Sequence, residues 1–123
     1  MSRRIGIVVH RHRPEVIDFA RRAVAWCEAN DATASLPSSD ARLIGLPEFA
    51  VDAESFADDL DLLLSLGGDG TMLRAVQFAA EHEVPIIGVN AGQLGYLTQF
   101  NSAELTDALD AWVAGELIEE HRM

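Results

Sequence analysis

The sequence of 123 residues contains no lysine, a single cysteine and no apolar run long enough to cross a membrane. One cysteine cannot build a disulfide framework, so the composition favours a reduced, cytoplasmic setting. The net charge of -11 argues against nucleic acid as a partner, because phosphate backbones are bound by clustered cations. The first apolar segment is only about five residues long, so we predict neither a signal peptide nor a membrane partner.

The composition fits one globular domain. Hydrophobic residues make up 49% of the chain and charged residues 24%, which is typical of folded rather than disordered proteins. The charge is uneven, because residues 1–42 hold seven arginines and five acids whereas residues 43–123 hold two arginines and fifteen acids. An anionic ligand would therefore need locally placed donors, such as loop amides and a few arginines.

The most informative stretch is an apolar run over residues 60–66, which is followed by Gly67, Gly68, Asp69, Gly70 and Thr71. The run is typical of a strand buried on both faces, as in a parallel sheet. The glycines lack a Cβ atom, so the backbone there can take positive φ angles and let a ligand come close to its amide groups. Thr71 is predicted to cap the following helix, whose amino end favours an anion such as phosphate.

Asp69 lies in the middle of this loop, and two interpretations of it are open. A carboxylate surrounded by backbone amides can accept a proton, orient a hydroxyl group or hold a divalent metal. Gly-Asp-Gly is also an ordinary turn sequence. The position after a buried strand favours the functional interpretation, because ligands of open α/β sheets bind beyond the carboxyl ends of the strands.

The flanking segments predict alternating strands and helices. Residues 5–10 and 85–89 predict further buried strands, a helix is predicted from Pro14 to about Ala29, and others follow Thr71 (to about His82) and Asn101. Residues 30–56 predict a connector in which only residues 42–46 form a short edge strand. The pattern predicts an α/β fold with an open, mostly parallel, Rossmann-like sheet and helices on both faces, a three-layer arrangement.

Three further residues are candidates for ligand binding. Helical side chains lean towards the N-terminus, so Arg74 can reach the mouth of the glycine loop, although a surface salt bridge within the helix is the alternative. Asn90 and Tyr96 belong to a second glycine-containing loop, which we expect to face the first across a crevice. The Asn90 amide can form hydrogen bonds and the Tyr96 ring can pack on a base or ribose; a core tyrosine is the alternative.

Two groups of side chains have the composition of metal ligands. His10 and His12 are separated by one residue at the end of the first predicted strand, so they can share a face. Asp58, Asp59 and Asp61 form an acidic run. The histidines have no cysteine or acidic ligand close by in sequence, and an acidic run is more often a solvated surface. We therefore predict no metal ligands among them.

Two motifs together resemble the N-terminal domain of the NAD kinases. They are residues 67–75, Gly-Gly-Asp-Gly-Thr-Met-Leu-Arg-Ala, and residues 85–98, Pro-Ile-Ile-Gly-Val-Asn-Ala-Gly-Gln-Leu-Gly-Tyr-Leu-Thr. The first motif also occurs in diacylglycerol and sphingosine lipid kinases, and a similar element occurs in phosphofructokinases. The second motif, at this separation, resembles NAD kinases alone, and the resemblance extends over nearly the whole chain.

The resemblance implies a reaction and a set of site residues. The γ-phosphoryl group of ATP, or of polyphosphate in some members, would pass with Mg²⁺ to the 2′-hydroxyl of the adenosine ribose of NAD, giving NADP. Asp69 would be the proton acceptor for that hydroxyl. The expected nucleotide-binding residues are Gly67, Gly68, Gly70, Thr71, Arg74, Asn90 and Tyr96.

The NAD kinases continue into a second, largely β domain, which carries further NAD-binding residues and helps to build the oligomer. We therefore expect residues 1–123 to be the N-terminal α/β domain, with residues 115–123 as the beginning of the missing domain. On that basis the chain alone would have little activity, and the full-length protein would be a homo-oligomer. Two alternatives stay open: a lipid kinase domain of the diacylglycerol or sphingosine type, and a non-catalytic nucleotide-binding module.

Overall fold

A computed structural model of the protein describes residues 3–10, 15–80, 82–90, 100–101 and 105–113. The strands in these residues are β1 (Arg3–Val9), β2 (Ala32–Pro37), β3 (Ala50–Val51), β4 (Leu62–Gly67), β5 (Ile86–Asn90) and β6 (Phe100–Asn101). The helices are α1 (Glu15–Ala29), α2 (Ser38–Leu43), α3 (Asp69–Ala79) and α4 (Leu105–Val113). A single 3₁₀ turn, Pro47–Phe49, lies between α2 and β3.

The strands form one parallel sheet in the order β3-β2-β1-β4-β5-β6. The chain first proceeds outwards from β1 to β3 and then returns to place β4 on the other side of β1. The direction of winding therefore reverses between β1 and β4, and doubly wound sheets bind ligands at the carboxyl ends of the strands beside such a reversal. We call the space at the carboxyl ends of these two strands, beyond Val9 and Gly67, the switch-point crevice.

Both faces of the sheet are covered, and the central strand β4 is buried along its whole length. Leu64 and Leu66 belong to a core cluster that includes residues of α1 and α4. Leu63 belongs to a second cluster, which includes Met72 and Ala75 of α3. Alternate side chains of a strand point to opposite faces, so helices pack on both sides of the sheet. The predicted α/β fold class is confirmed.

The connector between α1 and β4 is the part of the fold that we predicted wrongly. Residues 42–46 do not form a strand, because they span the end of α2 and the turn after it. The strands in this region are β2 and β3, and β2 pairs with β1 on one side and with β3 on the other. Four of its six residues are alanine, threonine or serine, and placement between two strands rather than side-chain preference accounts for its conformation.

The other predicted elements are present with shifted ends, which is the usual uncertainty of helix and strand boundaries. The first strand begins at Arg3 instead of Ile5, and the helix after the glycine loop ends at Ala79 instead of His82. Leu105, Leu109 and Trp112 of α4 are buried, as their spacing predicts. Within the described ranges, no helix has both the length and the apolar character that a membrane span requires.

Cys27 provides a test of the packing of α1, since its side chain is only 1% exposed. Burial, with a smaller contribution from the charge of Glu28, raises the pKa of the thiol from 9.0 to about 11. The folded-state pKa lies above the unfolded one, so the protonated thiol stabilises the fold below pH 9.0, and this contribution is lost as the pH rises towards about 11. We expect the loss to be about 2–3 kcal/mol in the free energy of unfolding.

Urea denaturation at a series of pH values measures this loss, and Cys27→Ala is the reference protein. The variant lacks the titrating thiol, so its free energy of unfolding should fall less steeply over the same pH range. An equally steep fall in Cys27→Ala would contradict the assignment.

Candidate functional site

The strand, loop and helix predicted around Asp69 lie at the switch-point crevice. β4 ends at Gly67, and α3 begins at Asp69, with Gly68 as its N-cap in an extended conformation. The Met72 N–H donates to the Gly68 carbonyl at 2.9 Å, which is the first hydrogen bond of the helix. The remaining amides of the first turn have no partner within the helix and lie beside the carboxyl end of β4. Backbone N–H groups and the positive end of the helix dipole therefore meet at this place.

The cap of α3 differs from the prediction. Thr71 is not the N-cap, because Gly68 occupies that position and no side chain caps the helix. Thr71 lies within the first turn and is only 4% exposed. The loop does not use the positive φ angles that its glycines allow, since Gly45 is the only glycine with positive φ in the part of the chain that the structure describes. The extended conformation of Gly68 lets the chain enter α3 without a left-handed residue.

The glycines of the loop have different roles. A Cβ atom on Gly67 would lie 2.6 Å from Thr71 Oγ1 and 2.7 Å from His10 Cβ, so only glycine allows the ends of β1, β4 and α3 to pack this closely. At Gly68 and Gly70, by contrast, an added Cβ would meet no atom within 4 Å in the described structure. Packing therefore explains Gly67, whereas Gly68 and Gly70 border open space at the crevice.

The difference between Gly67 and Gly68 gives a direct prediction. Gly67→Ala should lower the free energy of unfolding by about 1–3 kcal/mol, because the added methyl group overpacks the site. Gly68→Ala should lower it by at most about 1 kcal/mol, because the added methyl group makes no new contact and alanine is only a poorer N-cap residue than glycine. Urea denaturation of the two variants measures both values. An equal loss of stability in the two would show that Gly68 also has a packing role.

Arg74 is held by acceptors from two other elements. Its Nη1 donates to the Val9 carbonyl at 3.1 Å, and its Nη2 donates to Asp40 Oδ1 at 2.8 Å. Its salt bridge thus joins α3 to α2 and is not formed within its own helix. The Arg74 side chain is 29% exposed, and a guanidinium group has more N–H donors than these two contacts use. The contact of Arg74 with a ligand stays a prediction.

Asp40 is the residue of this region that sequence analysis missed. Its side chain is 0% exposed, and besides Arg74 it accepts hydrogen bonds from the Val9 N–H at 3.0 Å and the Ser39 hydroxyl at 3.3 Å. A buried carboxylate needs such donors, because removal from water is otherwise strongly unfavourable. The sequence before it, Pro37-Ser38-Ser39, is typical of a helix start, but nothing in it indicates a partner that lies 34 positions away.

The second predicted loop is described only at its first residue. Asn90 ends β5 and is paired in register with Gly67, so the structure brings the backbones of these two predicted site residues together. Tyr96 and the rest of residues 91–99 lie outside the described residues. The side-chain roles of Asp69, Asn90 and Tyr96 therefore stay predictions. No group of three or more His, Cys, Asp or Glu residues in the described ranges could hold a metal ion.

The strand order, with a glycine loop at the crevice, defines an α/β domain of the doubly wound class. The model of one protein family, the ATP-NAD kinase N-terminal domain, matches residues 5–117, and the chain belongs to this family.

Curated relatives agree with the family model. The chain is 34% identical over 120 residues to the NAD kinase of Heliobacterium modesticaldum, covering 97% of this chain and 42% of that protein. It is 38% identical over 120 residues to the NAD kinase of Moorella thermoacetica, covering 98% of this chain and 38% of that protein. NAD kinase 1 of Streptomyces coelicolor is 39% identical over 123 residues, and the match covers 98% of this chain and 32% of that protein. The chain thus spans less than half the length of these relatives.

A solved structure shares the fold. The yeast NADH kinase complexed with NADH superimposes with a TM-score of 0.81, covering 94% of this chain and 39% of that chain. The sequence identity is 17%, so this similarity concerns the arrangement of strands and helices.

Proposed function

We propose that the chain forms the N-terminal part of a NAD kinase, which transfers the γ-phosphoryl group of ATP to the 2′-hydroxyl of the adenosine ribose of NAD and releases NADP. One observation carries the proposal: a glycine loop that holds Asp69 as the first residue of α3 lies where the strand order reverses. Membership of the family and the names of the curated relatives support the same reaction.

Asp69 is the proposed proton acceptor. In phosphoryl transfer the protein contributes mainly positioning and stabilisation of charge, with a carboxylate that aligns the attacking hydroxyl. An ordinary aspartate is a weak base, so Asp69 orients the 2′-hydroxyl first and takes its proton late, as the new O–P bond forms.

The glycine loop is the proposed place of the phosphate groups. The amides of Gly68, Gly70 and Thr71 lie at the start of α3, where unpaired N–H groups and the helix dipole favour anions. The open space beside Gly68 and Gly70 lets a nucleotide approach this backbone closely. Mg²⁺ enters as part of the substrate MgATP, held by its phosphate groups. Polyphosphate is the alternative phosphoryl donor.

The remaining site residues surround NAD in this proposal. Arg74 uses its spare N–H groups on the nucleotide, since its guanidinium is fixed at the end of β1 and still partly exposed. Asn90, whose backbone pairs in register with Gly67, contributes its side-chain amide to the binding of NAD, and Tyr96 contributes a ring for the adenosine. The rest of the site lies in the portion of the relatives that this chain does not match, and the longer protein is a cytoplasmic homo-oligomer.

The test is the identity of the phosphoryl acceptor. We would incubate ATP labelled at its γ-phosphate and Mg²⁺ with this chain, extended through its downstream coding sequence, and offer NAD, NADH or diacylglycerol in separate reactions. The proposal predicts label in the dinucleotide at the 2′ position. Label in the lipid would identify the protein as a lipid kinase instead of a NAD kinase. Transfer to none of the acceptors would identify it as a nucleotide-binding module without catalysis.

A further inference from the structure

A buried cluster next to the crevice joins three elements of the fold. Asp40 of α2 accepts hydrogen bonds from the Val9 N–H at the end of β1 and from Arg74 Nη2 of α3. Arg74 in turn donates to the Val9 carbonyl. Val9 therefore uses both of its backbone groups in this cluster, and the Asp40 carboxylate uses both of its oxygens. The arrangement closes a ring of contacts at the carboxyl end of β1, one of the two strands that bound the crevice.

The two charged side chains of the cluster differ in exposure. Asp40 is 0% exposed, so it cannot reach a ligand in the crevice, whereas Arg74 is 29% exposed and can. An arginine side chain has many rotamers, and a single contact with the Val9 carbonyl leaves the plane of the guanidinium free to rotate. The second, charge-assisted contact with Asp40 fixes that plane and the direction of the unused N–H groups.

From this geometry we infer that Asp40 is a positioning residue: it does not touch substrate but orients the Arg74 guanidinium towards NAD at the crevice. The inference rests on the proposed function in one respect, namely that the ligand of Arg74 is NAD. Asp40 should thus determine how tightly NAD binds, since it organises a binding group, and should leave the phosphoryl-transfer step unchanged.

Steady-state kinetics of the extended protein test this in four forms: wild type, Asp40→Asn, Arg74→Gln, and the double variant. Asp40→Asn should raise the KM for NAD about tenfold, the effect of losing one charge-assisted hydrogen bond, with kcat within about twofold of wild type. Arg74→Gln should raise KM at least as much. Because Asp40 acts through Arg74, the double variant should have the KM of Arg74→Gln. The inference would be overturned if the increase in KM of the double variant equalled the product of the two single increases. An unchanged KM in Asp40→Asn would also overturn it.

Asp61→Asn is the matched control. Asp61 Oδ2 accepts a hydrogen bond from the Arg4 N–H at 2.8 Å, so it holds the amino end of β1 as Asp40 holds the carboxyl end. Asp61 is exposed and lies at the opposite end of the sheet from the crevice. A general weakening of β1 would raise KM in both variants, whereas positioning of Arg74 predicts a rise in Asp40→Asn only.

A second measurement needs no variant at Asp40, in case Asp40→Asn does not fold. The ¹⁵N–¹H spectrum of wild type, with the Arg74 guanidinium signals assigned by their loss in Arg74→Gln, should show separate Nη signals, because two fixed acceptors stop rotation of the group. Averaged Nη signals would overturn the inference. A wild-type protein that makes no NADP but shows the separate signals would refute the proposed function while leaving the Asp40–Arg74 arrangement intact.

Discussion

Asp69→Asn should lower kcat for NADP formation by about 10²–10⁴-fold, the usual contribution of a side chain that takes a proton in the transition state. Asparagine has nearly the same shape as aspartate, so it can still contact the 2′-hydroxyl, but it cannot accept the proton. The KM for NAD should therefore stay within about twofold of wild type. Steady-state kinetics of the extended protein measure both constants.

Asp59→Asn is the control for this variant. Asp59 is an exposed acid of the turn before β4, and its φ of 60° is one that asparagine adopts readily. Asp59→Asn removes one negative charge, as Asp69→Asn does. Because this charge lies on an exposed turn and not in the glycine loop, kcat should be that of wild type. Equal kcat values for Asp69→Asn and wild type would remove Asp69 from the mechanism.

Leu64→Ala should lower the free energy of unfolding by about 2–5 kcal/mol, because it removes a large buried side chain and leaves a cavity. Leu64 is 0% exposed and lies in the middle of β4. A domain of this kind has a total stability of about 5–15 kcal/mol, so one such change takes a large part of it. Since β4 leads directly into Gly67 and α3, the loss of its packing also removes the support of the glycine loop.

Leu73→Ala is the matched change on the surface. Leu73 belongs to α3 and is 54% exposed, so its truncation should alter the free energy of unfolding by less than about 0.5 kcal/mol. Urea denaturation of the 123-residue chain compares the two variants. A small effect at Leu64, or an equal effect at Leu73, would contradict the placement of β4 in the centre of the core.

The centre of the fold could be predicted because its sequence signals are local. The apolar run before Gly67 is nearly continuous, which is typical of a strand covered on both faces, and β4 is such a strand. The spacing of Leu105, Leu109 and Trp112 likewise predicts the buried face of α4. The place of the glycine loop at the end of β4 then follows from the order of the elements.

The features of the fold and the site that could not be predicted depend on contacts between distant parts of the chain or on the local backbone. β2 forms from small residues because β1 and β3 lie on either side of it, and no local pattern indicates this. The start of α3 at Asp69 rather than after Thr71 depends on the extended backbone of Gly68. The pairing of Arg74 with Asp40 joins two helices that are not neighbours in sequence, so the sequence alone could place Arg74 near the loop but could not identify its partner.

The most direct measurement is NADP formation from NAD, ATP and Mg²⁺ by the 123-residue chain, run beside the same chain extended through its downstream coding sequence. The proposed function predicts turnover by the extended protein and little or none by the short chain, because the chain matches only 42% of the length of a relative such as the Heliobacterium modesticaldum NAD kinase. Absence of NADP with both proteins would contradict the kinase assignment.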